Sequence, residues 1–228
     1  MAPGGGGFLV AAKLSPALSR FKKGKPHAQP CFAPPVHPLS CFDMNAIDRP
    51  DLLSLEPDEL QRLLARHFDA RGEPPYRAGQ VRRWIYDRLA ATTDAMTDLP
   101  AAERDALGSA FRIDDPVPDR VSESRDGTVK HLWRLADGHL VESVLIPTDR
   151  RLTLCSSSQA GCAMGCTFCA TGWGGFDRQL TAGEIVGQYR GSRRWAEERD
   201  CGSITNIVYM GMGEPLANRP AVHTSLTI

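Results

Sequence analysis

The stretch from Leu152 to Met210 narrows the possible folds more than any other part of this sequence. Leu152 to Ser157 reads as a short strand, and a loop rich in Gly and Cys follows it. Thr181-Ala182-Gly183-Glu184 then has the spacing of a capping box, in which the Thr and Glu side chains each take a free backbone N–H at a helix start. Ile185, Val186 and Tyr189 supply an inner face for that helix. Ile204 to Met210 is almost continuously apolar, as a parallel strand buried on both faces would be. Strand, loop, helix, strand is the βαβ unit of a barrel or an open parallel sheet. Ligands in such folds bind at the carboxyl ends of the strands. Both the cysteine loop and Gly211-Met212-Gly213-Glu214-Pro215 fall at such ends.

The loop itself carries Cys162-Ala-Met-Gly-Cys166-Thr-Phe-Cys169, a CxxxCxxC array. Three thiolates can hold three irons of a cubane cluster and leave the fourth iron without a protein ligand, whereas most iron–sulfur electron carriers use four cysteines. An open iron can chelate a substrate, which is how radical enzymes hold S-adenosylmethionine (SAM) by its amino and carboxylate groups. The protein's task is then to position and shield the cofactor. Phe168, just before the third cysteine, is expected to pack beside the cluster and the SAM adenine. The competing assignment is a zinc site that recruits Cys155 as a fourth thiolate. Zinc sites favour closed sets of four ligands, usually as two short-spaced pairs. Here the steps are seven, four and three residues, with no second CxxC and no nearby His.

Upstream, helical periodicity begins near Leu55. Pro57 suits a first turn, and Leu60, Leu63, Leu64 and Phe68 recur at three and four residues. Gly72 and Pro74-Pro75 end that helix. A second helix places Ala78, Val81, Trp84, Ile85 and Leu89 on one face and Arg77, Arg82, Arg83 and Arg88 on the other. A third starts near Pro100 and buries Ala106, Leu107 and Phe111. The arginines suit either a solvated helix face or a surface that meets RNA. Thr128 to Leu135 then alternates Val129, His131, Trp133 and Leu135 against Thr128, Lys130, Leu132 and Arg134. Asp137-Gly138 signals a hairpin turn, and the return strand runs from His139 to Ile146 and stops at Pro147. Glu142 on that strand reads by default as an exposed carboxylate.

Composition limits the partners. Lys+Arg and Asp+Glu both number 27, so no net field draws the whole molecule to polyanions, and nucleic-acid contact must come from local patches. No apolar run approaches the roughly 20 residues that span a bilayer, which predicts a soluble protein with no membrane partner. Seven cysteines, an odd number, without a convincing secretory signal point to a reducing, cytoplasmic setting. The apolar run at residues 8–12 is too short for a signal core. Residues 1–43 are rich in Gly and Pro and carry five Lys/Arg before the first acidic residue, Asp43, so they are expected to be disordered. They suit a transit peptide or, as the preferred expectation, residues upstream of a true start at Met44.

From Leu55 to Asn218 the sequence resembles the bacterial radical-SAM adenine-C2 methyltransferases of 23S rRNA and tRNA. The stretches that carry the resemblance are Pro75-Tyr-Arg-Ala-Gly-Gln-Val, Met96-Thr-Asp-Leu-Pro, Asp126-Gly-Thr-Val-Lys, Val141-Glu-Ser-Val-Leu-Ile-Pro and Leu154-Cys-Ser-Ser-Ser-Gln-Ala-Gly-Cys162. After the cluster motif come Gly175-Phe-Asp-Arg, Glu184-Ile-Val-Gly-Gln and Met210-Gly-Met-Gly-Glu-Pro-Leu. The resemblance implies that Cys162, Cys166 and Cys169 ligate a 4Fe–4S cluster. Gly213 and Glu214 would contact the amino end of SAM, and Glu142 would be the proton acceptor. It further implies a relay in which one SAM methylates a cysteine near the carboxyl terminus and a second SAM supplies the radical that activates that methyl group. The activated carbon adds to C2 of adenine, and a second cysteine resolves the adduct and leaves a disulfide. Cys155 occupies that resolving position. Adenine C2 is too weak a nucleophile for direct attack on SAM, which is why a radical route is needed. The target base must be unstacked or in a loop. Implied partners are 23S rRNA, tRNA and an electron donor such as flavodoxin or ferredoxin, with the protein a monomer.

The expected architecture is α/β: a small N-terminal helical module plus a β-hairpin, followed by the first part of a radical-SAM partial (β/α) barrel. The expected divisions are a leader at 1–50, a helical RNA-binding-like module at 51–115, and hairpin plus truncated barrel at 116–228. The resemblance fades after Asn218, and Arg219 to Ile228 reads as unrelated or frame-shifted sequence. The methyl-carrying cysteine is not found, and Cys201 lies at the wrong end of the motif order to replace it. The sequence therefore predicts an incomplete enzyme that does not turn over alone, with an open sheet edge that invites aggregation. A non-catalytic RNA-binding fragment and an adenine-C8 methylating relative are the alternative functions.

Overall fold

The computed structural model describes residues 11–13 and 49–228. The expectations for the leader, including the start at Met44 and most of the 1–50 division, lie outside the described residues, as do Cys31 and Cys41. A short strand β1 (Ala11–Lys13) is followed by the helical module α1 (Pro57–Asp69), α2 (Tyr76–Tyr86) and α3 (Ala101–Ala110). Then come β2 (Val117–Glu123), β3 (Val129–Arg134), β4 (Leu140–Pro147), β5 (Leu152–Cys155) and β6 (Gln159–Gly161). The remainder is α4 (Ala170–Trp173), β7 (Phe176–Gln179), α5 (Ala182–Glu198), β8 (Asn206–Val208) and α6 (Arg219–Thr227).

The helical module closes around Leu60, Leu64, Phe68, Val81, Ile85 and Leu107, none of which reaches solvent. Pro57 opens α1, where its missing N–H costs nothing. Two details of the periodicity shift. Helix α2 stops at Tyr86, so Leu89 is buried from a left-handed turn (φ 54°) and not from the helix face. Ala106 is only half-buried, because α3 turns Leu107 and Glu103 inward instead. Glu103 is neutralised there by Arg71, whose Nε and Nη2 donate to its two oxygens at 2.7 and 2.8 Å.

The main sheet has six strands in the order β1-β8-β5-β4-β3-β2. The hairpin β3–β4 forms as its alternation requires, with Leu132 opposite Glu142 and Val129, His131 and Trp133 turned to the covered face. The unit β5–α5–β8 is parallel, with Leu154 opposite Ile207. The capping box at Thr181 and Glu184 is complete. Three features depart from expectation. Strand β2 carries no alternation because both of its faces are in solvent, so periodicity could not reveal it. Strand β8 is only three residues long and half-buried, since helices cover one face and the other lies open. Its outer edge is not bare: β1 pairs with it antiparallel, Ala12 opposite Ile207. The segment after Asn218 forms α6, which packs against α5 and buries Val222.

Helix α5 joins the two parts of the molecule. Arg190, 1% exposed, donates to Asp115 at 2.7 and 3.0 Å, to the Ala90 carbonyl at 2.7 Å and to the Ile85 carbonyl. It thus satisfies carbonyls at the end of α2 from within the sheet's helical layer. The next residue, Gly191, faces Trp133. A Cβ there would lie 2.5 Å from the indole, so the close approach of helix to sheet requires glycine.

Candidate cofactor-binding and active site

Strands β5 and β8 end side by side, and the two candidate loops leave from those ends. Ser156, Ser157, Ser158 and Gln159 follow β5, and all four are buried although polar. Buried polar groups need partners, and here the partners lie on the neighbouring elements. The Ser157 hydroxyl donates to the Glu142 carbonyl at 2.5 Å and accepts from the Met212 N–H at 2.8 Å. The Gln188 amide, fully buried on α5, accepts from Ser157 N–H and donates to the Ser157 carbonyl. Asn218 donates to the carbonyls of Ser158 and Leu180, both at 2.8 Å. These side chains hold the start of the cysteine loop against the Gly211–Pro215 segment. Only their place in a family-like stretch singles them out in sequence, because serines and glutamines beside a loop usually read as solvated.

Gly213 takes φ +96°, and a Cβ would lie 2.5 Å from Gln159 Cβ. Both conformation and space therefore require glycine. The Glu214 N–H donates to Gln159 Oε1 at 2.8 Å, and the Glu214 carboxylate caps the following turn by accepting from Leu216 N–H at 3.1 Å.

The cysteine loop is closed at its base, where Cys162 N–H donates to the Gly175 carbonyl at 2.7 Å and β6 pairs with β7. Cys162 and Cys169 are half-buried and Cys166 is exposed, and all five described cysteines are free thiols. Cys169 precedes α4, and the N–H groups of Gly172 and Thr171 hold its thiol below the usual range. Among the described residues no three His, Cys, Asp or Glu side chains are gathered closely enough to hold a metal. What fits a 4Fe–4S cluster is the donor set: three thiols on one exposed loop with a pinned base, and no fourth cysteine in that loop. Phe168, expected to pack beside the cluster and SAM, makes no close packing with the protein itself. It stands 89% exposed, with Trp173 at 77%, so this rim of the site faces outward.

Glu142 and Cys155 share the open face of the sheet. Cys155 pairs with Val144, two residues along β4 from Glu142, so all three side chains project the same way. Glu142 is half-exposed and accepts from Lys130 Nζ at 2.9 Å. Burial pushes the Cys155 thiol up, and the Met210 N–H opposes that shift. A separate cavity of about 200 Å³ lies on the covered side of the sheet, between Tyr86, Leu154, Tyr189, Ile207 and Tyr209. It contains none of the candidate residues. The chemistry-bearing groups lie instead along the open face and the strand ends, where α/β folds place their ligands.

Comparison with known proteins agrees with this geometry. Residues 51–113 match the family described as the ribosomal RNA large subunit methyltransferase N-terminal domain. The dual-specificity RNA methyltransferase RlmN of Anaeromyxobacter sp. (strain Fw109-5) is 49% identical over 186 residues, 79% of this chain and 48% of that protein. The RlmN of Halorhodospira halophila is 53% identical over 155 residues, 68% of this chain and 42% of that protein. A crystal structure of a radical SAM methyltransferase from Sphaerobacter thermophilus superposes with a TM-score of 0.72 at 43% identity, covering 78% of this chain and 51% of that one. The chain spans about half the length of the curated relatives it matches.

Proposed function

Because this chain belongs to the dual-specificity RNA methyltransferase family, with the fold of a radical SAM methyltransferase, we propose that it holds the cluster and SAM for methylation of adenosine C2 in 23S rRNA and tRNA through a methyl-cysteine relay. The observation that carries this reading is the juxtaposition of the three-cysteine loop with the Gly213–Glu214 loop at the ends of adjacent parallel strands. Cys162, Cys166 and Cys169 would hold the 4Fe–4S cluster. When bound, the cluster supplies the electron that cleaves SAM reductively, a chemistry that belongs to the cofactor.

The chain's own residues do the rest. Gly213 lets the backbone approach the ligand closely, and Glu214 offers a carboxylate to the SAM ammonium. The oxygen not used in capping Leu216 is the one free for it. Glu142 takes the proton lost from adenine C2 onto its carboxylate. Lys130 keeps that carboxylate turned along the open face. Cys155 would be the resolving thiol, its half-buried side chain on the open face, since thiol–disulfide exchange needs access. RNA would meet the helical module, where Arg82 and Arg83 on α2 and Arg88 in the turn after it are exposed and make no ion pair among the described residues. Arg77, the fourth arginine, is engaged by Glu73 at 2.5 Å and belongs to the module's internal fabric. A protein reductant such as flavodoxin or ferredoxin would deliver the electron.

The test is anaerobic reconstitution with iron and sulfide, followed by EPR of the reduced protein before and after SAM. A cubane signal that changes on SAM addition is the expected result. Bound zinc, or a cluster indifferent to SAM, would overturn the assignment and leave RNA binding by the helical module as the surviving function.

A further inference from the structure

We propose that Gln159 is a positioning residue, whose buried amide sets the backbone of Glu214 and so aims the SAM contact from the cysteine loop's own base. This rests on the assignment of Gly213 and Glu214 to SAM made above. Gln159 is 2% exposed and lies three residues before Cys162. Its Oε1 accepts the Glu214 N–H at 2.8 Å, and its Nε2 donates to Gln179 Oε1 at 2.9 Å on the paired strand β7. The Gln179 amide in turn donates to the Ala217 carbonyl at 2.9 Å, beyond the Glu214 turn. The orientation of the Gln159 amide is therefore fixed at both ends. Reversing it would set NH2 against the Glu214 N–H and oxygen against oxygen at Gln179. The side chain also packs against Gly213 so tightly that no Cβ fits between them. One residue thus grips the peptide between Gly213 and Glu214 by contact on one side and by a hydrogen bond on the other. The main-chain N–H of Gln159 adds a third tie, to the Met212 carbonyl at 3.2 Å.

The consequence is a mechanical link between two ligand loops. Any movement of the cysteine loop's base moves Gln159, and with it the backbone from which the Glu214 carboxylate projects. A hydrogen bond inside a site that must hold its geometry within a fraction of an ångström acts through placement. Glu214 would stay present without Gln159 but would sample other positions.

The decisive variant is Gln159→Leu, of similar volume, which removes both hydrogen bonds. Two readouts apply. In the unreconstituted chain, amide hydrogen exchange at Glu214 should accelerate at least tenfold while amides in β4 stay unchanged. In the reconstituted chain, equilibrium dialysis with labelled SAM should show roughly tenfold weaker binding at equal iron content, as for loss of about one hydrogen bond. Unchanged exchange at Glu214 together with unchanged SAM affinity would overturn the proposal. If the parent chain takes up iron but binds no SAM, the SAM assignment itself fails. The exchange result then still decides whether Gln159 holds the loop. Should Gln159→Leu not fold, Gln179→Leu on the exposed face of β7 replaces it. That variant releases the Nε2 end of the Gln159 amide, which then keeps only its bond from the Glu214 N–H, and should weaken SAM binding about threefold, and parent-like affinity would overturn the proposal.

Discussion

His131 on β3 is buried between two indoles, stacked on Trp133 at 4.9 Å and edge-on to Trp195 at 5.5 Å, with neither ring nitrogen hydrogen-bonded among the described residues. Burial, with a smaller push from Arg199, drives its pKa down to about 4. The unfolded chain titrates this group near 6.5, so between those values the unfolded state holds more protons than the folded one. Stability is therefore full above about pH 6.5 and falls as the pH drops toward 4, by on the order of 3 kcal/mol from this group. His131→Phe, which keeps the stack, should flatten the stability curve over that window in urea titrations at several pH values. It should also raise stability near neutrality by about 1 kcal/mol, because an unpaired buried N–H disappears. Arg190 is the opposite case, a buried charge with every partner in place. Arg190→Met leaves the Ile85 and Ala90 carbonyls without their donor and Asp115 with Arg194 as its remaining guanidinium, and should cost about 2 kcal/mol or more, read from the denaturation midpoint.

At the level of elements, α5 organises the molecule. Its first turn is closed by Thr181 and Glu184, and Arg178 on β7 joins that cap, donating to both Glu184 oxygens at 2.7 and 2.8 Å and to Asp137 in the β3–β4 turn at 2.5 Å. The guanidinium and the His139 N–H hold the Asp137 carboxyl far below the usual carboxylate range. The hairpin tip, the β6–β7 ribbon and the helix start are thus one charged knot. Thr181→Ala opens the cap and should lower stability by about 1 kcal/mol. Because Arg178 still holds Glu184, hydrogen exchange should rise in the first turn of α5 and not along the whole helix. Exchange spread over the entire helix would show that the cap governs its docking as well.

For the whole molecule, charge is balanced overall, yet Arg82 and Arg83 near the end of α2 and Arg88 in the turn that follows are all exposed. RNA binding through these arginines should weaken steeply with salt, since each neutralised phosphate releases counterions. Replacing Arg82 and Arg83 by Ala should lower the slope of log affinity against log salt by roughly 1 to 2. Filter binding to a structured rRNA hairpin at several salt concentrations measures it. An unchanged slope would make the arginines a solvated face only. No helix among the described residues is long and apolar enough to cross a membrane. The sheet is mixed, with antiparallel strands on both sides of the single parallel pair, and β1 covers the β8 edge that the strand pattern alone would leave bare.

The sequence by itself determined what depends on local spacing. The helix periodicities, the Asp137-Gly138 turn, the capping box, the parallel β5–α5–β8 unit and the position of the cysteine loop after a strand all follow from residues within a few turns of each other. Tertiary structure alone decided what depends on distant partners. Nothing local marks Gln159 or Ser157 as structural, because their partners, Glu214 and Met212, lie 55 residues away. Strand β2 has no periodicity to read, since both its faces are wet. Glu142, by default an exposed strand carboxylate, is half-exposed and paired with Lys130. Only the fold puts it on the same open face as Cys155, because strand register, which is a long-range property, decides which side chains share a surface.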